Sequence, residues 1–352
     1  MSTVIDSLRI FACTAVFLGH TNFYWFFGQT KLGPKNGHDF VIVFFVLSGF
    51  VIAWSVDRKK NYRFKQYLFD RITRLWSVVI PALCVGYTLD YFGRIYHQDT
   101  YQSIFANNYI ELKFFISGFF LQECWFSSIR PGSNGPFWSL SYEFFYYLIF
   151  GSFILIKNIR YKILFSFLFC LIAGPKILIL FPCWLMGCAS YYCCKLSRPN
   201  IYFSVSLTLI TSSILIYFLL ARWVSWNPFS YDALGCPPLF YSAKYFEDFL
   251  TAFLISSMLY GLSRWFTLKH RAKGIFQIII KNYAGTTFSL YAFHFPVIAF
   301  LASIASSKTI SGLGFYEALI MCLLICFLFA LVFEKNLKFI RYKIHNYFPK
   351  LN

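Results

Sequence analysis

Residues Ile5–Phe27 read IDSLRIFACTAVFLGHTNFYWFF, a hydrophobic run long enough to cross a bilayer as a helix. Two of its side chains are expensive there: Arg9 near the start and His20 deep inside. An ionisable group at membrane depth points to function by default. At 100° per residue, the interval from Arg9 to His20 leaves an offset of about 20°, so the two share a face, His20 lying some 16 Å further along the axis. Spacing alone also fits a snorkelling arginine and a histidine that hydrogen-bonds a neighbouring helix.

Apolar runs of similar length recur on either side of this one. Of 352 residues, 58% are hydrophobic, 23% aromatic and only 13% charged, about half the charge of a soluble domain. The reading is an all-α integral membrane protein, a polytopic bundle of about ten transmembrane helices. The expected spans are 5–27, 40–56, 75–91, 136–156, 163–174, 177–194, 201–221, 246–263, 283–304 and 315–333, with a short interfacial helix over 112–121. Residues 1–334 form the membrane domain and 335–352 a basic tail. The first run has no charged lead-in and no small-residue cleavage site, so it reads as a retained helix.

Charge orients the bundle. With the N-terminus cytoplasmic, the inner segments hold most of the 32 Lys and Arg residues, led by Arg58, Lys59, Lys60, Arg63, Lys65, Arg71 and Arg74. An even number of spans returns the C-terminus to the same side. The net charge of +18 is thus assigned to cytoplasmic loops beside anionic lipid and not to nucleic acid. The eleven cysteines lack the paired spacing of a metal site, so no metal is expected. Cys124 and Cys236 fall in outer loops, where a disulfide can form.

By this topology His20 and His294 are the histidines at membrane depth, and Glu143 is the acid well inside a span. His20 and Glu143 each lie about seven residues from the outer end of their runs, roughly 10 Å deep. A carboxylate and an imidazole at matching depth can serve as orienter and base, or as a buried pair that fixes packing. His294 stands just before Pro296, which is expected to kink its helix. Arg71 and Arg74, three apart near a helix start, share one face, which suits phosphates or lipid headgroups.

Taken together, these residues resemble the acyltransferase-3 family. Arg9 and His20, separated by ten residues, match its opening. Asp39 with Phe44-Phe45-Val46-Leu47-Ser48-Gly49-Phe50 matches its second-helix signature, with a longer interval after Asp39. Arg71-Ile72-Thr73-Arg74 matches the double-arginine motif, and Pro136-Phe137-Trp138-Ser139-Leu140-Ser141-Tyr142-Glu143 the tryptophan–serine–leucine–glutamate block. Ser289-Leu290-Tyr291 with His294 and Pro296 matches the late histidine motif. Glu334 stands where the family closes on an acid, although Lys335-Asn336 replaces the expected proline.

The resemblance implies a multi-pass protein of the bacterial inner membrane that moves an acyl group, most simply acetyl, from cytoplasmic acetyl-CoA or another acyl-CoA. The acceptor it implies is a hydroxyl of a surface polysaccharide such as O-antigen, or of a lipid-linked precursor. It implies His20 as catalytic residue with Glu143, and Arg9, Arg71 and Arg74 as the acyl-CoA residues. Asp39, Ser48, Trp138, Ser139, Tyr291 and His294 support them, and the donor is a substrate, not a resident cofactor. The short tail after the last span resembles the stand-alone, sugar-modifying members. The rival reading is a transporter or flippase of lipid-linked sugar, which calls for inverted repeats and broken helices in matching halves; no internal repeat is found.

Overall fold

Backbone N–H and C=O groups in hydrocarbon must be satisfied within the segment, which for apolar runs of this length means helices. The computed structural model describes residues 2–23, 26, 37–98, 101, 108–196, 205, 209–210, 212–214, 216–217, 238–268, 274–306, 314–337, 339 and 341–343. Its elements are α1 (Ser2–His20), α2 (Gly37–Arg58), α3 (Phe64–Tyr96), α4 (Ile110–Gly118), a 3-10 turn (Gly135–Phe137), α5 (Trp138–Leu155), α6 (Ile159–Ala173), α7 (Pro175–Ile179) and α8 (Phe181–Leu196). A second 3-10 turn (Phe240–Ser242), α9 (Tyr245–Leu268), α10 (Ile275–Ala284), α11 (Thr287–Ser306), α12 (Phe315–Phe329) and a π-helical turn (Ala330–Glu334) complete them.

Six helical segments among the described residues are long and apolar enough to cross a membrane: Thr3–His20, Gly37–Arg58, Phe64–Tyr96, Pro175–Leu196, Thr287–Ser306 and Phe315–Glu334. α5, α6 and α9 cover further expected spans but fall outside that set. The expected span at 201–221 lies largely outside the described residues, and so does Cys236; Cys124 is a half-buried thiol.

Several expected boundaries shift. α1 ends at His20, seven residues early. Thr21 turns the chain there, with its hydroxyl and its N–H both donating to the Leu18 carbonyl, at 2.7 and 3.1 Å. α3 runs 33 residues, roughly 50 Å, so Arg71 and Arg74 lie inside a helix that begins before the expected span. The expected 283–304 span divides: α10 leaves Ile275, Ile278 and Ile279 exposed, and α11 starts afresh at Thr287. α11 then runs unbroken through Pro296.

Close packing of small residues builds the centre of the bundle. A Cβ added to Gly49 of α2 would lie 2.0 Å from the Trp184 carbonyl oxygen, and one added to Gly187 of α8 would lie 2.0 Å from that of Val46. The two backbones therefore touch, and Trp184 is brought close enough for its indole N–H to donate to Ser48 Oγ at 3.2 Å. α1 and α11 run in parallel register. Cys13 Sγ donates to the Thr287 carbonyl at 3.2 Å, and seven residues on His20 meets His294, both contacts spanning 274 positions. Glu334 lends a carboxylate to the start of α11, accepting the Ser289 N–H at 2.9 Å, while Thr286 and Thr287 turn their own hydroxyls back to the preceding turn.

Candidate active site

A column of polar side chains runs through the bundle. At one end is a cavity enclosing about 800 Å³ of empty space, part of it open to solvent. Arg9 of α1, Arg71 and Arg74 of α3, Ser48 of α2, Ser139, Glu143 and Tyr147 of α5, and Tyr291 of α11 all line it, among apolar side chains such as Phe44, Leu75 and Leu140. Seven residues singled out in the sequence thus converge on one space. The i, i+3 interval of the two arginines does what helix geometry requires and turns both the same way. Arg71 is buried, lies over the Tyr67 ring at 5.7 Å and has an Nε without a hydrogen-bond partner. Among the described residues neither Arg71 nor Arg74 is in an ion pair, whereas Arg9 is 3.9 Å from Asp6. Two cations outside any ion pair, one turn apart within α3 and lining one cavity, suit phosphate oxygens.

Glu143 is held within the same cavity. Its Oε1 accepts from Ser48 Oγ at 2.6 Å and from the Tyr147 hydroxyl, one turn further along α5. Ser48 in turn is 3.1 Å from Tyr147. Next along the column, Ser139 and Tyr291 hydroxyls meet at 2.6 Å, and Tyr291 also donates to the Pro136 carbonyl at 2.7 Å.

One turn beyond Tyr291 on α11 stands His294, buried, with its ring nearly coplanar with that of His20 (10° between planes). The hydrogen bonds assign the tautomers. His294 Nδ1 lies 2.9 Å from the carbonyls of both Leu290 and Tyr291, so it carries the proton. His294 Nε2 then accepts, and His20 Nδ1, 2.7 Å away, donates. That leaves His20 Nε2 with its lone pair, on a ring further held between Phe23 and Phe295. A neutral imidazole with one nitrogen pinned and the other, among the described residues, without a partner is the arrangement of a general base.

The structure does not bring Glu143 to His20. Because α1 stops at His20, the histidine sits at its helix end, and Glu143 instead points into the cavity. The imidazole's partner is His294, which parallel packing supplies. Trp138 lies beside this column, stacked between His38 (5.3 Å) and Tyr241 (4.3 Å), and half-buried Asp39 follows His38 in the first turn of α2. Sequence reading missed Tyr147, although its i+4 interval from Glu143 was available. It also missed the His38–Asp248 pair, 210 residues apart, for which no local signal exists.

Residues 3–334 match a family described as an acyltransferase domain. The chain is 29% identical over 162 residues to the peptidoglycan O-acetyltransferase OatA of Listeria monocytogenes, a match covering 43% of this chain and 24% of that protein. It is 30% identical over 158 residues to the acyltransferase MdmB of Streptomyces mycarofaciens, covering 42% of this chain and 37% of that one. Both alignments span well under two thirds of the relative's own length. No solved structure matches the chain. With the family match running through nearly all of its 352 residues, the chain belongs to the acyltransferase-3 family of membrane acyltransferases.

Proposed function

We propose that this protein is an O-acyltransferase, most simply an O-acetyltransferase, that moves an acyl group from cytoplasmic acyl-CoA to a hydroxyl of a surface polysaccharide or lipid-linked sugar precursor. The observation that carries the reading is the order of groups along the column: unpaired arginines, then the Ser139–Tyr291 pair, then the imidazoles. The CoA phosphates lie against Arg71, Arg74 and Arg9, and the narrow pantetheine arm extends past Glu143 toward Tyr291. From Thr287, which lines the cavity, to His294 is about 10 Å along α11. The OatA relative is named for O-acetyl transfer to peptidoglycan, which supports the reaction class and leaves the acceptor of this chain to be established.

In the reaction His20 Nε2 takes the proton of the acceptor hydroxyl as its oxygen attacks the thioester carbonyl. The C–S bond breaks, an ester C–O bond is formed, and the protonated His20 returns its proton to the CoA thiolate. His294 keeps its own Nδ1 proton on the α11 backbone, so it presents an acceptor to His20 in both states. Glu143, with its hydroxyl partners, sets the polarity of the donor cavity. The topology that fits places both termini in the cytoplasm of a bacterial inner membrane, with about ten spans and Arg71 and Arg74 toward the CoA side.

The test is transfer itself. Purified protein in proteoliposomes, given radiolabelled acetyl-CoA and surface glycan stripped of esters by mild base, is expected to label the glycan and release CoA one for one. CoA release without glycan label, or neither, would remove the reading.

A further inference from the structure

An imidazole–carboxylate pair lies at the end of the column away from the arginines. His38, in the first turn of α2, directs Nε2 to both oxygens of Asp248, at 3.0 and 3.1 Å. Asp248, in the first turn of α9, is 1% exposed, and His38 is 24% exposed. The two N-terminal turns meet on the side of α5 where Trp138 stacks on His38 with 11° between the planes. Trp138 is itself backed by Tyr241 at 4.3 Å and 5°. The next residue, Ser139, belongs to the column and bonds Tyr291, so the pair is one residue of α5 away from the reaction path.

A carboxylate accepting from Nε2 holds the ring by that nitrogen and leaves Nδ1 as its remaining hydrogen-bonding atom. Among the described residues Nδ1 has no partner, and the ring is reachable from outside the protein. Trp138, itself backed by Tyr241, holds the ring plane, so Nδ1 has a fixed direction. Among the described residues Asp39 and Glu247 join Asp248 around it, with Lys244 as the nearby cation. That environment disfavours anions and leaves one ring nitrogen for a neutral partner, which fits a hydroxyl, able to donate or accept.

We propose that His38, oriented by Asp248, is the acceptor-recognition residue, its Nδ1 hydrogen-bonding a hydroxyl of an uncharged, polyhydroxylated acceptor. This rests on the O-acyltransferase reading above and adds to it where the acceptor is held. The pair holds the acceptor; His20 carries the proton. Donor and acceptor then enter from opposite ends of one column.

The experiment uses the proteoliposome assay, varying base-treated glycan and radiolabelled acetyl-CoA independently. His38→Ala is expected to raise the glycan KM by about threefold to tenfold, the worth of one neutral hydrogen bond, with the acetyl-CoA KM and the rate at saturating glycan within about twofold. Asp248→Asn, which still accepts from Nε2 but lacks the charge, is expected to show a smaller rise. If His38→Ala fails to accumulate, His38→Gln replaces it: its amide spans the same gap, and a partial rise in glycan KM is expected. An unchanged glycan KM in the accumulating variants overturns the proposal, as does an equal change in both KM values, the mark of a packing role. Wild-type protein that consumes acetyl-CoA without labelling glycan would instead overturn the O-acyltransferase reading, and this proposal with it.

Discussion

Lys176 and Arg71 are both basic side chains held inside the bundle, and their surroundings differ. Lys176 is fully buried, with its ammonium on the Glu123 carboxylate and the Ser127 carbonyl, and Glu123 takes a further bond from Ser128 at 3.1 Å. Burial raises the Glu123 carboxyl above its ordinary range, a rise the neighbouring ammonium offsets in part. The pair fastens the loop after α4 to the break between α6 and α7. There Trp125 donates to the Ala173 carbonyl, and Gly174, at φ +78°, leaves no room for a Cβ against Trp125. Arg71 has an aromatic ring beneath it, an Nε without a partner and a cavity in front. One cation is closed by its own chain; the other keeps a donor without a partner at the edge of a cavity, as the proposed donor site requires. A closed buried pair serves structure, and an open one is spent on binding.

The largest expected effect lies outside both groups. His20→Gln keeps size and hydrogen bonding but cannot take up a proton, so transfer is expected to fall about 10²- to 10⁴-fold with acetyl-CoA affinity unchanged. Steady-state kinetics on protein that inserts normally would show it; near-normal turnover removes His20 as the base. Next comes the closed pair. Lys176→Met leaves Glu123 unpaired and is expected to cost about 3–5 kcal/mol of stability. The double change Lys176→Met with Glu123→Gln should cost less than that, as read from the thermal unfolding midpoint in detergent.

The open group should behave in the reverse sense. Arg71→Ala or Arg74→Ala is expected to weaken acetyl-CoA binding by about 10- to 100-fold, the loss of charge-assisted bonds of about 1.5–3 kcal/mol, with the unfolding midpoint unmoved. A fall in stability with affinity intact would make these arginines the counterpart of Lys176 and erase the contrast. Lys at either position should restore only part of the affinity. The smallest effect is expected of Tyr291→Phe, which removes the bonds to Ser139 and Pro136. A loss of under about tenfold in kcat, with both KM values preserved, matches hydrogen bonds of about 0.5–1.5 kcal/mol.

Periodicity and hydropathy made the helices legible, and the interval between Arg71 and Arg74 was enough to turn both into one cavity. Depth counting misled at His20. The run of apolar residues continues to Phe27, but Thr21 satisfies the Leu18 carbonyl locally and the helix stops. An apolar run records burial, not where the hydrogen-bond ladder ends. Pairing between helices was not legible either. Glu143 and His294 are equally plausible partners for His20 on composition, and the choice is made by α11 lying parallel to α1, a fact carried by contacts 274 residues apart. Glu123–Lys176 and His38–Asp248 were invisible for the same reason.

That shared interval of 274 makes the imidazole pair a matter of length as well as identity. Between Cys13 and His20, and again between Thr287 and His294, the chain counts seven steps, so the two helices work as matched rulers with a common zero at the sulfur contact. Deleting one residue between Cys13 and His20 would turn the ring by about 100° and draw it back about 1.5 Å, out of reach of His294 with every catalytic side chain still present. Removing one residue between Thr287 and His294 would shift the partner ring by the same turn and rise. On the mechanism proposed above, a helix pair that keeps time in this way would tie proton transfer to the relative sliding of two rods, since a slip of a single residue parts His20 from His294.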